Sequence, residues 1–235
     1  MIGFVISLKQ EVTHIWPQFN QPKIHRVNGF ELVVFNVLQQ PAVLIYSGVG
    51  KANAASASQT LINHFNVSTI VNLGSCGAVN GNIQPISLFL PHTVTYYDVD
   101  VVAFGYAKNQ IPHCPAYYGI NSKLLDLVET TLKGYGLALH TGKLATGEVF
   151  INQANVNKYI QPQEQISAVD MEACAIAQIC HKNDVKFCTI KIVSDTIHNT
   201  TMTNQQQWQD TISKVSEFNT KILVDIANLL VYHKI

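Results

Sequence analysis

Three acidic residues fall where apolar runs stop: Glu11 after IGFVISL, Glu172 in VDMEA and Asp195 at the end of TIKIVSD. Charged residues make up only 13% of the chain, so a carboxylate at such a position is informative. Carboxylates in one cleft can divide acid and base work, one giving a proton while another takes one. An ionised carboxylate is also a good acceptor for the paired hydroxyls of a sugar. Each residue has a plainer reading. Glu11 fits a surface carboxylate or an early helical acid, and Asp195 fits a turn residue at a strand exit. Asp170 and Glu172, flanking Met171, fit acids at the start of a helix, favoured by its dipole. The dipole would keep Glu172 ionised, so capping and hydroxyl binding are compatible there.

Other segments are consistent with a ligand site without proving one. SGVGKANAA (47–55) is glycine-rich, but it matches neither the dinucleotide fingerprint nor the nucleotide-triphosphate loop. It reads as a tight strand-to-helix turn or a loop touching a nucleoside. In GSCGAV (74–79) small residues permit close approach to the backbone, and no histidine or basic neighbour activates Cys76. Phe150 in TGEVFIN reads as a core edge or as a ring that stacks on a flat ligand. YYDVDVVAFGY (96–106) mixes aromatics with Asp98 and Asp100, a composition that suits an interface. The histidines are dispersed, and no metal or cofactor is expected.

These residues need a scaffold. Near-continuous apolar runs, IGFVISL, ELVVFNVL, AVLIYSGVG, VSTIVNLGSCG, SLFLPHTVTYY, KLATGEVF, ISAVDM and KFCTIKIVSD, read as strands. Helices are expected over ANAASASQTLINHF, SKLLDLVETTLKGYG, EACAIAQICHKN and the long C-terminal segment ending at VYH. IHRVNGF reads as a polar turn. Strands alternating with helices predict an α/β fold, a single-domain three-layer α/β/α sandwich around a central mixed sheet spanning 1–235. If the strands run parallel, the clusters at their ends converge on one rim, where such sheets bind ligands.

Composition narrows the function classes. The 235 residues carry no net charge and one arginine, Arg26, which excludes an electrostatic footprint for nucleic acid or an anionic membrane. Five scattered cysteines read as reduced thiols. With no signal-like N-terminus and no apolar run of membrane-spanning length, a soluble cytoplasmic protein is expected.

Together, Glu11-Val12, SGVGKANAA, NLGSCGAV, YYDVDVVAFGY…QIPHCP, TGEVFIN, AVDMEACAIAQIC and IVSD resemble the purine nucleoside phosphorylase and nucleosidase superfamily. They run in family order from residue 1 to about 195 and are most similar to its nucleosidases for 5′-methylthioadenosine and S-adenosylhomocysteine. The resemblance implies a nucleoside phosphorylase-like fold and hydrolysis of the N-glycosidic bond of 5′-substituted adenosines. It implies that Glu11 activates water and that Asp195 is the acid at the purine. Met171 and Glu172 would hold the ribose, Phe150 would stack on adenine, and the Ile151 backbone would read its edge. Val49, Ser75, Gly77 and Ser194 would line the sugar and base region. Phe104 and Pro112 would reach into the other subunit of a homodimer. The chain departs from the family's pattern at Asp170, usually Glu, at Leu8, usually Met, and at Glu148, more often Asp. THNTTMTNQQQW after Asp195 lacks the family's lid pattern with its Phe. Two other readings stay open. A phosphorylase normally needs arginine forks for phosphate, and the related phosphorylases carry Arg where this chain has Asn72. A non-catalytic nucleoside-binding protein would be expected to have lost one of Glu11, Glu172 or Asp195.

Overall fold

The computed structural model describes residues 1–13, 19 and 22–235. Its strands are β1 (Ile2–Ile6), β2 (Lys23–Val27), β3 (Phe30–Val37), β4 (Gln40–Tyr46), β5 (Thr69–Ala78), β6 (Leu88–Tyr96), β7 (Tyr118–Gly119), β8 (Leu139–Thr146), β9 (Ile166–Asp170) and β10 (Lys186–Thr196). The helices are α1 (Lys51–Phe65), α2 (Ser122–Lys133), α3 (Val156–Tyr159), α4 (Ala173–Lys182) and α5 (Asn204–Tyr232). One mixed sheet holds every strand, in the order β10-β6-β8-β9-β5-β1-β4-β3-β2, with β7 on β6. Strands β4, β1, β5 and β10 are mutually parallel, as are β6, β8 and β9. The two sets meet antiparallel at the β10–β6 and β5–β9 seams.

Because β10 also pairs β5, strands β10, β6, β8, β9 and β5 close into a ring. The convergence of strand ends therefore has two causes. β1, β4, β5 and β10 deliver theirs by running parallel, whereas β9 brings its end beside β5 through the short antiparallel seam Gly77↔Val169 and Ala78↔Ala168. α1 packs on α4, and α5 lies along β10 and β5 with α2 beside it, so helices cover the sheet. In β10 every residue after Lys186 is buried, as its unbroken apolar pattern predicts for a covered strand.

One reading changes. IHRVNGF is not only a turn: Lys23–Val27 form β2, an edge strand paired antiparallel with β3 and joined to it through Asn28-Gly29. Asn28 and Gly29 have φ of 51° and 82°, the geometry of a two-residue hairpin turn. The four residues from Lys23 to Arg26 are exposed, so no apolar alternation marked this strand.

Candidate active site

Gly74 and Gly77 in β5 explain how two carboxylates fit against one strand. A Cβ on Gly74 would sit 3.1 Å from Glu11 Oε1, and one on Gly77 would sit 3.1 Å from Asp195 Oδ2. Both contacts are tighter than ordinary packing allows, so small residues at GSCG admit the two acids.

Around them lies a cavity of about 270 Å³. The loop after β1 contributes Glu11, the β4–α1 turn Val49, and β5 Ser75, Cys76 and Gly77. Phe150 and Ile151 enter after β8, Asp170, Met171 and Glu172 at the β9–α4 junction, and Ser194 and Asp195 from β10. Ten of the residues expected at the site therefore border one space. Phe104 and Pro112 do not: both are exposed, Phe104 to 80%.

Glu11 is buried and held by neutral donors. The Ser75 amide and hydroxyl donate to Oε1 at 2.8 and 2.9 Å, and the Leu8 amide donates to Oε2 at 3.2 Å. Trp208 on α5 donates from Nε1 to Ser75 Oγ at 3.3 Å and lines the cavity. It was missed in the sequence, where it reads only as part of a helix; a tryptophan among THNTTMTNQQQW was the available signal.

Asp195 accepts from Ser194 Oγ on Oδ1 and from Asn204 Nδ2 on Oδ2, both at 2.7 Å. Burial raises its pKa above the ordinary carboxylate value, and the two donors oppose that rise.

Glu172 is the backbone N-cap of α4, yet its side chain caps no amide of that helix. It crosses to the β4–α1 turn, where the Gly50 amide donates to Oε1 at 2.9 Å. Burial, with Asp170 next to it, pushes its pKa up to about 7, against the pull of Lys191 and the Gly50 amide. Desolvation thus works against the ionised form that the helix start favours.

Asp170 supplies the cap instead, accepting from the Ala173 amide on Oδ2 at 3.0 Å. The same oxygen lies 2.8 Å from Lys191 Nζ, and each side chain is 1% exposed. Burial alone would pull the lysine pKa down, but Asp170, Glu172 and Glu11 hold it above the ordinary value. This ion pair was not foreseen; the signal was a lysine inside the apolar run TIKIV. Lys51 and Asp98 form another pair at 2.8 Å, and Asp98 also accepts from the Glu148 amide, which ties the loop after β6 to the start of α1. Burial pushes the Cys76 thiol far up, which suits a packed thiol and not a nucleophile.

A family model for the phosphorylase superfamily matches residues 2–228. The chain belongs to the phosphorylase superfamily. It is 33% identical over 195 residues to a 5′-methylthioadenosine/S-adenosylhomocysteine nucleosidase of Buchnera aphidicola subsp. Schizaphis graminum, covering 83% of each chain. A nucleosidase of the same name from Staphylococcus haemolyticus is 33% identical over 83% of this chain and 86% of its own. Among solved structures, that nucleosidase from Neisseria meningitidis, in complex with methylthio-immucillin-A, superposes with a TM-score of 0.87 at 25% identity. The coverage is 97% of this chain and 98% of that one. The S-adenosylhomocysteine nucleosidase of Streptococcus pyogenes, in complex with 5-methylthiotubericidin, gives 0.89 at 25% identity, with 97% and 96% coverage. Within the superfamily the chain thus stands with the nucleosidases, and its α/β fold is the nucleoside phosphorylase-like one.

Proposed function

We propose that this chain hydrolyses the N-glycosidic bond of 5′-methylthioadenosine, S-adenosylhomocysteine or both, releasing adenine and the 5-substituted ribose. The observation that carries the reading is the lining of the cavity. It presents the carboxyl groups of Glu11, Asp170, Glu172 and Asp195, with Lys191 paired to Asp170 behind the lining, and no lysine, arginine or histidine in the lining itself. Such a wall can stabilise a sugar turning cationic and offers a phosphate dianion no cationic donor. Arg26 lies on exposed β2, and Asn72 is buried, bonded to Val5 O and Thr189, so neither supplies the fork a phosphorylase needs.

Water attacks C1′ while the C1′–N9 electron pair moves into the purine. Glu11 takes the proton of that water, and protonated Asp195 gives its proton to purine N7. Glu172 and the Met171 segment hold the ribose hydroxyls, Phe150 stacks on the base, and the Ile151 backbone reads its edge, while Val49, Ser75, Gly77 and Ser194 complete the wall. Each acid–base group is worth about a hundred- to ten-thousand-fold. Residues 1–235 act as one domain, in methionine salvage in the cytoplasm, in keeping with five buried free thiols. Exposed Phe104 and Pro112 complete the 5′ end of the site in the other subunit of a homodimer.

Adenine release from 5′-methylthioadenosine, S-adenosylhomocysteine, 5′-deoxyadenosine and a futalosine-type nucleoside, with and without phosphate, tests the reading. For 5′-methylthioadenosine, S-adenosylhomocysteine or both, release at equal rates with and without phosphate is expected, with the unphosphorylated 5-substituted ribose as product. A sugar 1-phosphate as main product would turn the assignment to a phosphorylase, and no release from any of them would favour a binding protein.

A further inference from the structure

The segment after Asp195 returns to the site through the first turn of α5. Asn204, the first residue of α5, is buried and donates from Nδ2 to Asp195 Oδ2 at 2.7 Å. Its side chain is not needed to start the helix. Thr203 does that, accepting from the Gln206 amide in a capping box. Gln207 binds both the amide and the carbonyl of Thr196 at 3.1 Å. Two amide side chains from one helical turn therefore grip the end of β10 at Asp195 and Thr196. Asn204 also borders a groove of about 760 Å³ that shares Phe150 with the catalytic cavity, so it stands between groove and acid.

We propose that Asn204 is a positioning residue for Asp195: its amide fixes the carboxyl against Gly77 and stabilises the carboxylate left when the proton passes to the purine. The inference rests on Asp195 being the acid. On proton transfer the O–H bond of Asp195 breaks, the N7–H bond forms, and the new negative charge stays on the carboxyl. Ser194 and Asn204 are the two side-chain donors it then has. Other ionisable groups around Asp195 are Cys76 from β5, Tyr97 after β6, Glu11, Asp170 and Glu172 across the cavity, Lys191 earlier on β10, and His198 on the following turn. His198 is engaged elsewhere, with Nε2 2.7 Å from Val79 O.

Removing the amide makes Asp195 a weaker acid, with two opposite consequences. It keeps its proton to higher pH, yet gives it up less readily. In Asn204→Leu the alkaline limb of kcat/KM should move upward in pH, while the plateau kcat falls about tenfold, the lower end for a hydrogen bond to a charged group. Asn204→Asp, with a second carboxyl at the same distance, should move the limb further. Should Asn204→Leu not fold, Asn204→Ala with the 13C titration of the Asp195 carboxyl gives the same answer. A purely structural role would lower kcat or stability and leave limb and titration where they are, which would overturn the proposal. If Asp195→Asn is itself fully active, the acid assignment falls first; if it is dead and the limb does not move, only the role of Asn204 falls.

Discussion

The floor and the rim of the cavity are built differently. On the floor, Glu11, Asp170, Glu172 and Asp195 are at most 7% exposed, and protein donors hold each of them. On the rim, Val49 and Phe150 are 41% and 45% exposed; away from the cavity, Phe104 is 80% exposed. The groups assigned to bond cleavage are preorganised by the sheet, as electrostatic catalysis requires. The groups assigned to the base face and the 5′ substituent have no such fixed surroundings. Damage to the floor should thus cost folding and kcat, whereas damage to the rim should cost KM.

The largest effect expected is on stability. Lys191→Met leaves Asp170 buried without its cation, and breaking one side of such a pair costs about 3–5 kcal/mol. A urea midpoint measures it. The double variant Lys191→Met/Asp170→Leu should recover part of the loss, because the uncompensated charge is gone although the Ala173 amide and Thr146 hydroxyl lose their acceptor. A single-variant cost under about 1 kcal/mol would mean that the floor is softer than its burial implies.

Next comes Asp195→Asn, with kcat down about a hundred-fold or more and nucleoside binding changed far less. Asn still hydrogen-bonds N7 but has no proton to give, so the deficit appears in the transition state. Retention of more than a tenth of wild-type kcat would make Asp195 a turn residue and break the contrast at its strongest point.

The same contrast governed what the sequence revealed. Strand ends were legible because covered strands carry unbroken apolar runs, so a carboxylate or glycine at their margin stands out. Glu11, GSCG, VDMEA and VSD were found that way, and so was the α/β class. Contacts between distant segments left little trace. Nothing local to Lys191 names Asp170 as its partner, nothing in NQQQW announces that Asn204 reaches Asp195 or that Trp208 reaches Ser75, and ring closure through β10–β5 is a property of the sheet. β2 was lost for the opposite reason, since an exposed edge strand has no buried face to pattern it. The upward pull of burial on Glu172 was not legible, because dipole arguments are local while desolvation depends on the whole fold.

Glu172 gives a smaller and pH-dependent effect. Its folded pKa of about 7 lies above the ordinary value of 4.5, so the folded protein holds the extra proton between these values. Stability should therefore fall as pH rises from about 4.5 to about 7 and level off above. Glu172→Gln should flatten that slope, which thermal melts at several pH values would show; an unchanged slope would assign it to another group. Because the ribose diol prefers the ionised carboxylate, nucleoside affinity should rise over the same interval. The Gln variant should lose about tenfold in both binding and turnover, a neutral amide being a poorer acceptor.

The smallest effect belongs to the rim. Phe104→Ala should raise KM for 5′-alkylthio nucleosides by about tenfold or less, as expected when part of one ring stops covering an apolar substituent, and should leave kcat nearly unchanged. Its decisive form is a mixture with Asp195→Asn protein. If Phe104 serves the other subunit, a hybrid dimer has one site that combines a native Asp195 from the first variant with a native Phe104 from the second. That site is wild type in every group. Mixing a weak-binding enzyme with a nearly inactive one should then produce active sites of wild-type KM, in proportion to the hybrid population, after subunit exchange. If Phe104 works within its own chain, or the protein is monomeric, no such sites form, and the mixture shows only the diluted activity of Phe104→Ala.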